Sequence, residues 1–186
     1  TVGPGCAGHE LAEQLRPLGL FFPAGHCKGV CLGGYLLQGG FGWHGRTPGL
    51  ACMSVEGIDY VDGSGRLMHA SPTQNQDMYW AARGAGPGFF GVITRFHLRL
   101  YPRPRFMGMA IVTYPLRELE RVFRWAHALG PRVPDSIELM LLVSRDTLGV
   151  RGPGITVLVP VFEDSYGAAA KAAAFMKQKP KGSRLS

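Results

Sequence analysis

Glycines stand at positions 25, 29, 33, 34, 39, 40 and 42, in a stretch that also carries His26, Cys27 and Cys31. Glycine at this density lets a backbone turn sharply or lie directly against a ligand. A planar ring system or a pyrophosphate is the kind of group such a stretch accepts. A plain glycine-rich surface loop is the alternative, but Leu32, Tyr35, Leu36, Leu37, Phe41 and Trp43 are interleaved and need something to pack on. No Gly-x-Gly-x-x-Gly leads from a strand into an apolar helix with an acid about 20 residues later, and no Gly-Lys-Ser/Thr occurs, which disfavours a Rossmann dehydrogenase and a P-loop enzyme.

Cys27 and Cys31 have a spacing that metal sites use, with Cys6 and His26 as conceivable further ligands. The intervening Lys28 and Gly29, the apolar flanks and the lack of a second close Cys/His pair make zinc a poor reading, and no metal ligands are assigned. Cys6, Cys27, Cys31 and Cys52 match two disulfides in number only; a chain of 186 residues does not need such staples. His9, His44, His69, His97 and His127 are scattered, none with an acid or nucleophile at a catalytic spacing, so no catalytic residue is assigned. Trp43, Trp80, Phe89 and Phe90 read as core or as the wall of a site.

The elements that must position these groups follow from periodicity. Leu11, Leu15 and Leu18 predict a helix over 8–17, closed by Pro17 and Gly19. Residues 54–61 and 66–70, joined by Asp62-Gly63-Ser64-Gly65, predict a hairpin. Asp77 is the expected cap of a short helix carrying Met78, Tyr79, Trp80 and Ala81. Over 89–100, Phe90, Val92, Thr94, Phe96, Leu98 and Leu100 alternate with Gly91, Ile93, Arg95, His97 and Arg99, predicting a strand with the first set on its buried face. Tyr101-Pro102-Arg103-Pro104 ends it and marks a boundary. Beyond lie a strand over 107–114, a helix over 116–129 with Leu119, Val122, Phe123, Ala126 and Leu129 on one face, strands over 137–143 and 155–161, and an alanine-rich helix over 166–176. The tail, 177–186, has no evident partner, so this second α+β unit reads as unfinished.

With 46% hydrophobic residues the chain can bury one core or two small ones. The net charge of +7 permits a nucleic-acid or anionic-membrane partner. The basic residues are spread along strands and turns or set apart near the C-terminus, so neither partner is expected. No secretory signal and no membrane-length apolar run is seen, and localisation stays open.

Gly25-x-Cys27-x-x-Val30, then Gly33-Gly34 and Gly39-Gly40-Phe41-Gly42, resembles the second glycine motif of flavin-linked oxidases related to berberine bridge enzyme, of the vanillyl-alcohol-oxidase type. Asn75-x-Asp77 through Trp80-Ala81-Ala82-Arg83-Gly84-Ala85-Gly86, and Phe90-Gly91-Val92-Ile93-Thr94, are similar to that family's next two blocks, in order. The resemblance runs from residue 1 to about 105. It implies an α+β fold: the second subdomain of a PCMH-type FAD-binding domain over 1–105, followed over 106–186 by the start of a substrate-binding domain. A first FAD subdomain carrying a Gly-Gly-His segment would then belong before residue 1, making the chain a fragment whose parent is the enzyme.

The cofactor implied is FAD, with Gly25, His26, Cys27, Val30, Gly33, Gly34, Gly39, Gly40, Gly42, Gly91 and Val92 as its contacts. Cys27 falls where many members form a thioether to the isoalloxazine ring; a small cysteine touching the cofactor without a bond is the alternative. Gly33, Gly34, Gly39, Gly40 and Gly42 are expected to turn main-chain N–H groups toward the flavin. The implied reaction takes a hydride from a small organic substrate to flavin N5, with molecular oxygen as the acceptor. A non-catalytic nucleotide-binding remnant and a basic nucleic-acid-binding module are the competing readings; the latter requires salt-sensitive binding.

Overall fold

The computed structural model describes residues 1–147, 152–182 and the backbone of 184–185, and divides the chain into two compact units, Thr1–Arg103 and Pro104–Ser186. Among the described residues no helix is long and apolar enough to cross a membrane.

In the first unit, α1 (Gly8–Leu15) begins with the Glu10 carboxylate accepting from the Ala7 N–H at 2.8 Å. It buries Leu11 and Leu15, tightens into a 3-10 turn at Arg16–Leu18 around Pro17, and stops at Gly19, whose φ of +66° is left-handed. Strand β1 (Leu20–Phe21) follows, then α2 (Leu32–Leu37). The predicted hairpin is β2 (Val55–Val61) and β3 (Leu67–Ala70). Its turn is knitted by Asp62, whose carboxylate accepts from the Ser64 and Arg66 backbone N–H groups at 2.9 and 3.0 Å. Hydrogen bonds from the Ser64 hydroxyl first, and then from Arg66, hold this carboxyl well below the ordinary aspartate range.

Helix α3 (Gln76–Ala81) corrects one expectation: the residue before it is Asn75, at φ +47°, and Asp77 lies inside the first turn. The Asn75 side chain caps nothing; its Nδ2 donates to the His69 carbonyl and ties the helix entry to β3. Strand β4 (Val92–Leu98) pairs antiparallel with β2, and β5 (Tyr101–Pro102) with β1, so the main sheet runs β3-β2-β4. Val2 bridges Phe96 on the free side of β4. The core gathers Leu11, Leu32, Leu36, Val55, Ile58, Tyr60 and Phe96.

The expected alternation over 89–100 holds only in part. Asp59 pairs with Arg95 but Tyr60 pairs with Ile93, so Thr94 is an extra residue in β4; at the other end Glu56 is extra in β2. Each bulge flips the phase of its strand. Ile93 and Phe96 therefore share the core, while Val92 points outward and is 68% exposed. Phe90 and Trp80, expected as core or wall, are also largely exposed.

In the second unit, β6 (Phe106–Pro115) and β8 (Gly154–Glu163) pair antiparallel along their whole length, β7 (Met140–Ser144) flanks β8, and Ile137, before β7, bridges Val161. Val112, Tyr114, Ile155, Val157 and Val159 pack with Val122 and Leu129 of α4 (Leu119–Leu129) and Ala169 of α5 (Tyr166–Ala172). The buried stripe of α4 is Val122, Ala126 and Leu129; Leu119 and Phe123, expected beside them, are exposed, and Trp125 packs on the core instead. The tail is not idle: β9 (Arg184–Leu185) pairs with β6, and the Tyr114 hydroxyl donates to the Pro180 carbonyl at 3.0 Å.

Candidate functional site

The glycine-rich stretch folds back on itself at one corner of the first unit. Gly25 and Gly42 form a bridge, and the Trp43 N–H donates to the Ala24 carbonyl at 3.1 Å. A Cβ on Gly42 would sit 2.1 Å from the Pro23 carbonyl oxygen, so two backbones meet there with no room for a side chain. Gly40 takes a φ of +76°, and a Cβ on it would lie 2.7 Å from the Tyr35 ring. That ring is pinned by its hydroxyl, which donates to the Pro23 carbonyl at 2.7 Å. The Gly39 and Gly40 carbonyls accept from Cys52 and Ala51 at 2.8 and 2.9 Å, joining the corner to the 3-10 turn Ala51–Ser54 that leads into β2.

Two of the expected amide donors are already used: the Gly33 N–H donates to the Pro4 carbonyl at 2.9 Å and the Gly39 N–H to the Leu36 carbonyl at 3.2 Å. Gly33 serves close packing instead, since a Cβ there would lie 3.0 Å from Pro4, and Gly39 supplies a left-handed turn at φ +97°. Gly34 differs, being exposed with open space where a Cβ would stand.

On the outer side of the corner, His26, Cys27, Val30 and Phe41 are exposed. The His26 ring lies against Trp43, centroids 4.3 Å apart, and Cys27 presents an exposed thiol beside it. Cys31 occupies the residue before α2 in extended conformation; the left-handed turn is taken by Gly29 at φ +81°, so the Cys31 side chain crowds nothing. The other two thiols are of a different kind. Burial, and then the Glu10 charge, push the Cys6 thiol up, and burial pushes Cys52 up against the opposing charge of Arg83. Gly91 packs beneath Tyr60, where a Cβ would lie 3.0 Å from the ring. Val92, expected to pack its side chain into the sheet, turns it outward instead.

The structure also gathers a group that the spacing of residues conceals. Asp59 on β2 is paired with His69 on β3 and with Arg95 on β4, while Gly57 is paired with His97. Directly opposed residues share a face, and the four side chains meet on the outer face of the sheet. His69 Nδ1 and His97 Nε2 both reach the same Asp59 oxygen, at 2.7 and 3.1 Å, and Arg95 stands 3.8 Å from the other. The hydrogen bond from His69, and then that from His97, hold the Asp59 carboxyl below its usual range in spite of partial burial. Residues 10 and 38 positions apart from Asp59 give no local signal. Only strand register could have revealed them.

Residues 1–71 match the FAD binding domain family. The chain is 41% identical over 138 residues to FAD-linked oxidoreductase janO of Penicillium janthinellum, covering 74% of this chain and 31% of that protein. It is 33% identical over 138 residues to berberine bridge enzyme-like 24 of Arabidopsis thaliana, covering 73% of this chain and 25% of that protein. Its fold is similar to the crystal structure of 6-hydroxy-D-nicotine oxidase from Arthrobacter nicotinovorans, with a TM-score of 0.83 and 27% identity over 99% of this chain and 40% of that one. The chain thus spans roughly a quarter to two fifths of the length of these proteins.

Proposed function

The chain belongs to the FAD-linked oxidoreductases related to berberine bridge enzyme, and from this we propose that it supplies one wall of an FAD site in an enzyme that oxidises a small organic molecule. The observation that carries the reading is the coincidence of the FAD-binding match over 1–71 with the corner at Gly39, Gly40 and Gly42, where two left-handed residues are followed by a glycine packed directly on the Pro23 backbone. FAD would supply the hydride acceptor, at flavin N5, and a route for the electrons to molecular oxygen.

The residues present fit such a group. The exposed His26, Cys27, Val30 and Gly34, with the half-buried Gly25, form the strip that would touch it, Trp43 steadies His26, and the half-buried Gly33 and buried Gly39, Gly40 and Gly42 belong to the packed corner. Gly91 and Val92 would add backbone contacts from β4. An exposed thiol is the nucleophile that a bond to an electron-poor ring requires, and Cys27 has that exposure. A thioether there would anchor the cofactor and raise its potential. Residues 1–105 act as the C-terminal half of the FAD domain, completed by the family's other FAD half-domain. Residues 106–186 begin the substrate domain, where the exposed Met107, Met109 and Leu142 offer an apolar sheet face to an organic substrate.

The test uses the protein expressed from its complete reading frame. It is expected to purify yellow with one FAD, and an acid-denatured digest is expected to carry the FAD mass on the peptide holding residues 24–30. A colourless protein that takes up no FAD in an absorbance titration would overturn the reading. Bound FAD with no mass on that peptide would reject the bond to Cys27 alone.

A further inference from the structure

We propose that Asp59, His69 and His97 form a binding site for a divalent first-row transition ion of the zinc class. Two imidazoles and one carboxylate make a donor set that such ions accept, with the remaining positions left to water. The ligand atoms all lie within 4.8 Å of one another, with the two ring nitrogens 2.7 and 3.1 Å from the shared carboxylate oxygen. Ligands on a tetrahedral zinc ion stand about 3.3 Å apart. Small rotations about side-chain bonds therefore reach the bound geometry, and no strand has to move.

The backbone is shaped for this cluster. Two bulges, at Glu56 and Thr94, set the phase that aims Asp59, Arg95 and His97 to one side, and the cross-strand register adds His69. Gly57 lies beneath: a Cβ there would come within 3.2 Å of the His69 ring. The side chains are open to solvent, at 41% for His69, 33% for His97 and 20% for Asp59, so an ion can enter without unfolding anything. In the hydrogen-bonded arrangement each of the two nitrogens carries a proton toward Asp59. Binding needs each neutral ring to take its other tautomer, which frees that lone pair and leaves the second nitrogen to donate outward. The Arg95 guanidinium, 3.8 Å from the second carboxylate oxygen, is the one group of the cluster that opposes a cation.

The experiment is a zinc titration of the tag-free chain, stripped first with a chelator and followed by competition with a chromophoric indicator. One ion per chain is expected. His69→Gln and His97→Gln are each expected to weaken it more than about tenfold, since each removes a ligand and loss of even a group that only supports a ligand costs about that much. Arg95→Gln is expected to tighten it about threefold to tenfold at low salt, because it removes a like charge. Cys27→Ser combined with Cys31→Ser is expected to leave it unchanged. Circular dichroism of each metal-free variant checks that the sheet is intact. Absence of a stoichiometric ion would overturn the proposal, as would zinc lost with the two thiols and retained without the histidines. An Arg95→Gln variant that binds no tighter than the parent would place the ion elsewhere.

Discussion

Residue by residue, the glycines of the corner divide into those the fold requires and those it tolerates. Gly42 is buried with a backbone oxygen 2.1 Å from where a Cβ would stand, and a main chain cannot rotate away as a side chain can. Gly42→Ala is expected to destabilise the first unit by about 3 kcal/mol or more, through overpacking that has no soft neighbour. Gly34 lies within α2, exposed, with nothing within 4 Å of its Cβ position. Gly34→Ala is expected to stabilise by about 0.5–1 kcal/mol, since alanine restricts the unfolded chain and suits a helix. Urea unfolding of the pair measures both. Equal effects would mean that the corner is not packed as described.

At the scale of elements, the informative feature is the double bulge between β2 and β4. Without it, Val92, Phe96 and Leu98 would form one buried row, and truncating either Val92 or Phe96 would open a cavity. With it, Phe96 is fully buried and Val92 is not. Phe96→Ala is expected to cost about 3–5 kcal/mol, the usual result of emptying a phenylalanine site. Val92→Ala is expected to stay within about 0.5 kcal/mol. The same phase change puts Arg95 and His97 beside Asp59, so the irregularity that spoils the alternation also builds the His-Asp cluster. The helices show a milder version of this effect. In α4 the stripe selected by packing is Val122, Ala126 and Leu129, and Phe123, one step round the helix, is left outside.

For the whole molecule, two separate cores imply two separate folding units. Leu32, Leu36, Ile58 and Phe96 belong to one; Tyr114, Val122, Val157 and Val159 belong to the other. Hydrogen exchange followed by mass spectrometry is expected to show the consequence. Phe96→Ala should lower protection across Thr1–Arg103 while leaving the β6–β8 ladder of Pro104–Ser186 at its original level. A uniform loss of protection in both units would show that they unfold as one.

Much of this was legible in the chain alone, where local chemistry decides. The Asp62–Gly65 turn, the α1 stop at Gly19, the run of corner glycines and the FAD-linked family could be read because each is written in neighbouring residues or in blocks kept in order. Tertiary structure alone decided the cap position of α3, the inward turn of Ile93, the exposure of Trp80 and Phe90, and the pairing of the tail with β6. It also decided that Gly33 and Gly39 spend their amides inside the fold, and that Asp59, His69 and His97 meet. The physical reason is common to all of these. A side chain's face depends on the phase of its strand, and one extra residue in a bulge reverses that phase. Donors and acceptors likewise pair across distances in sequence over which no period survives.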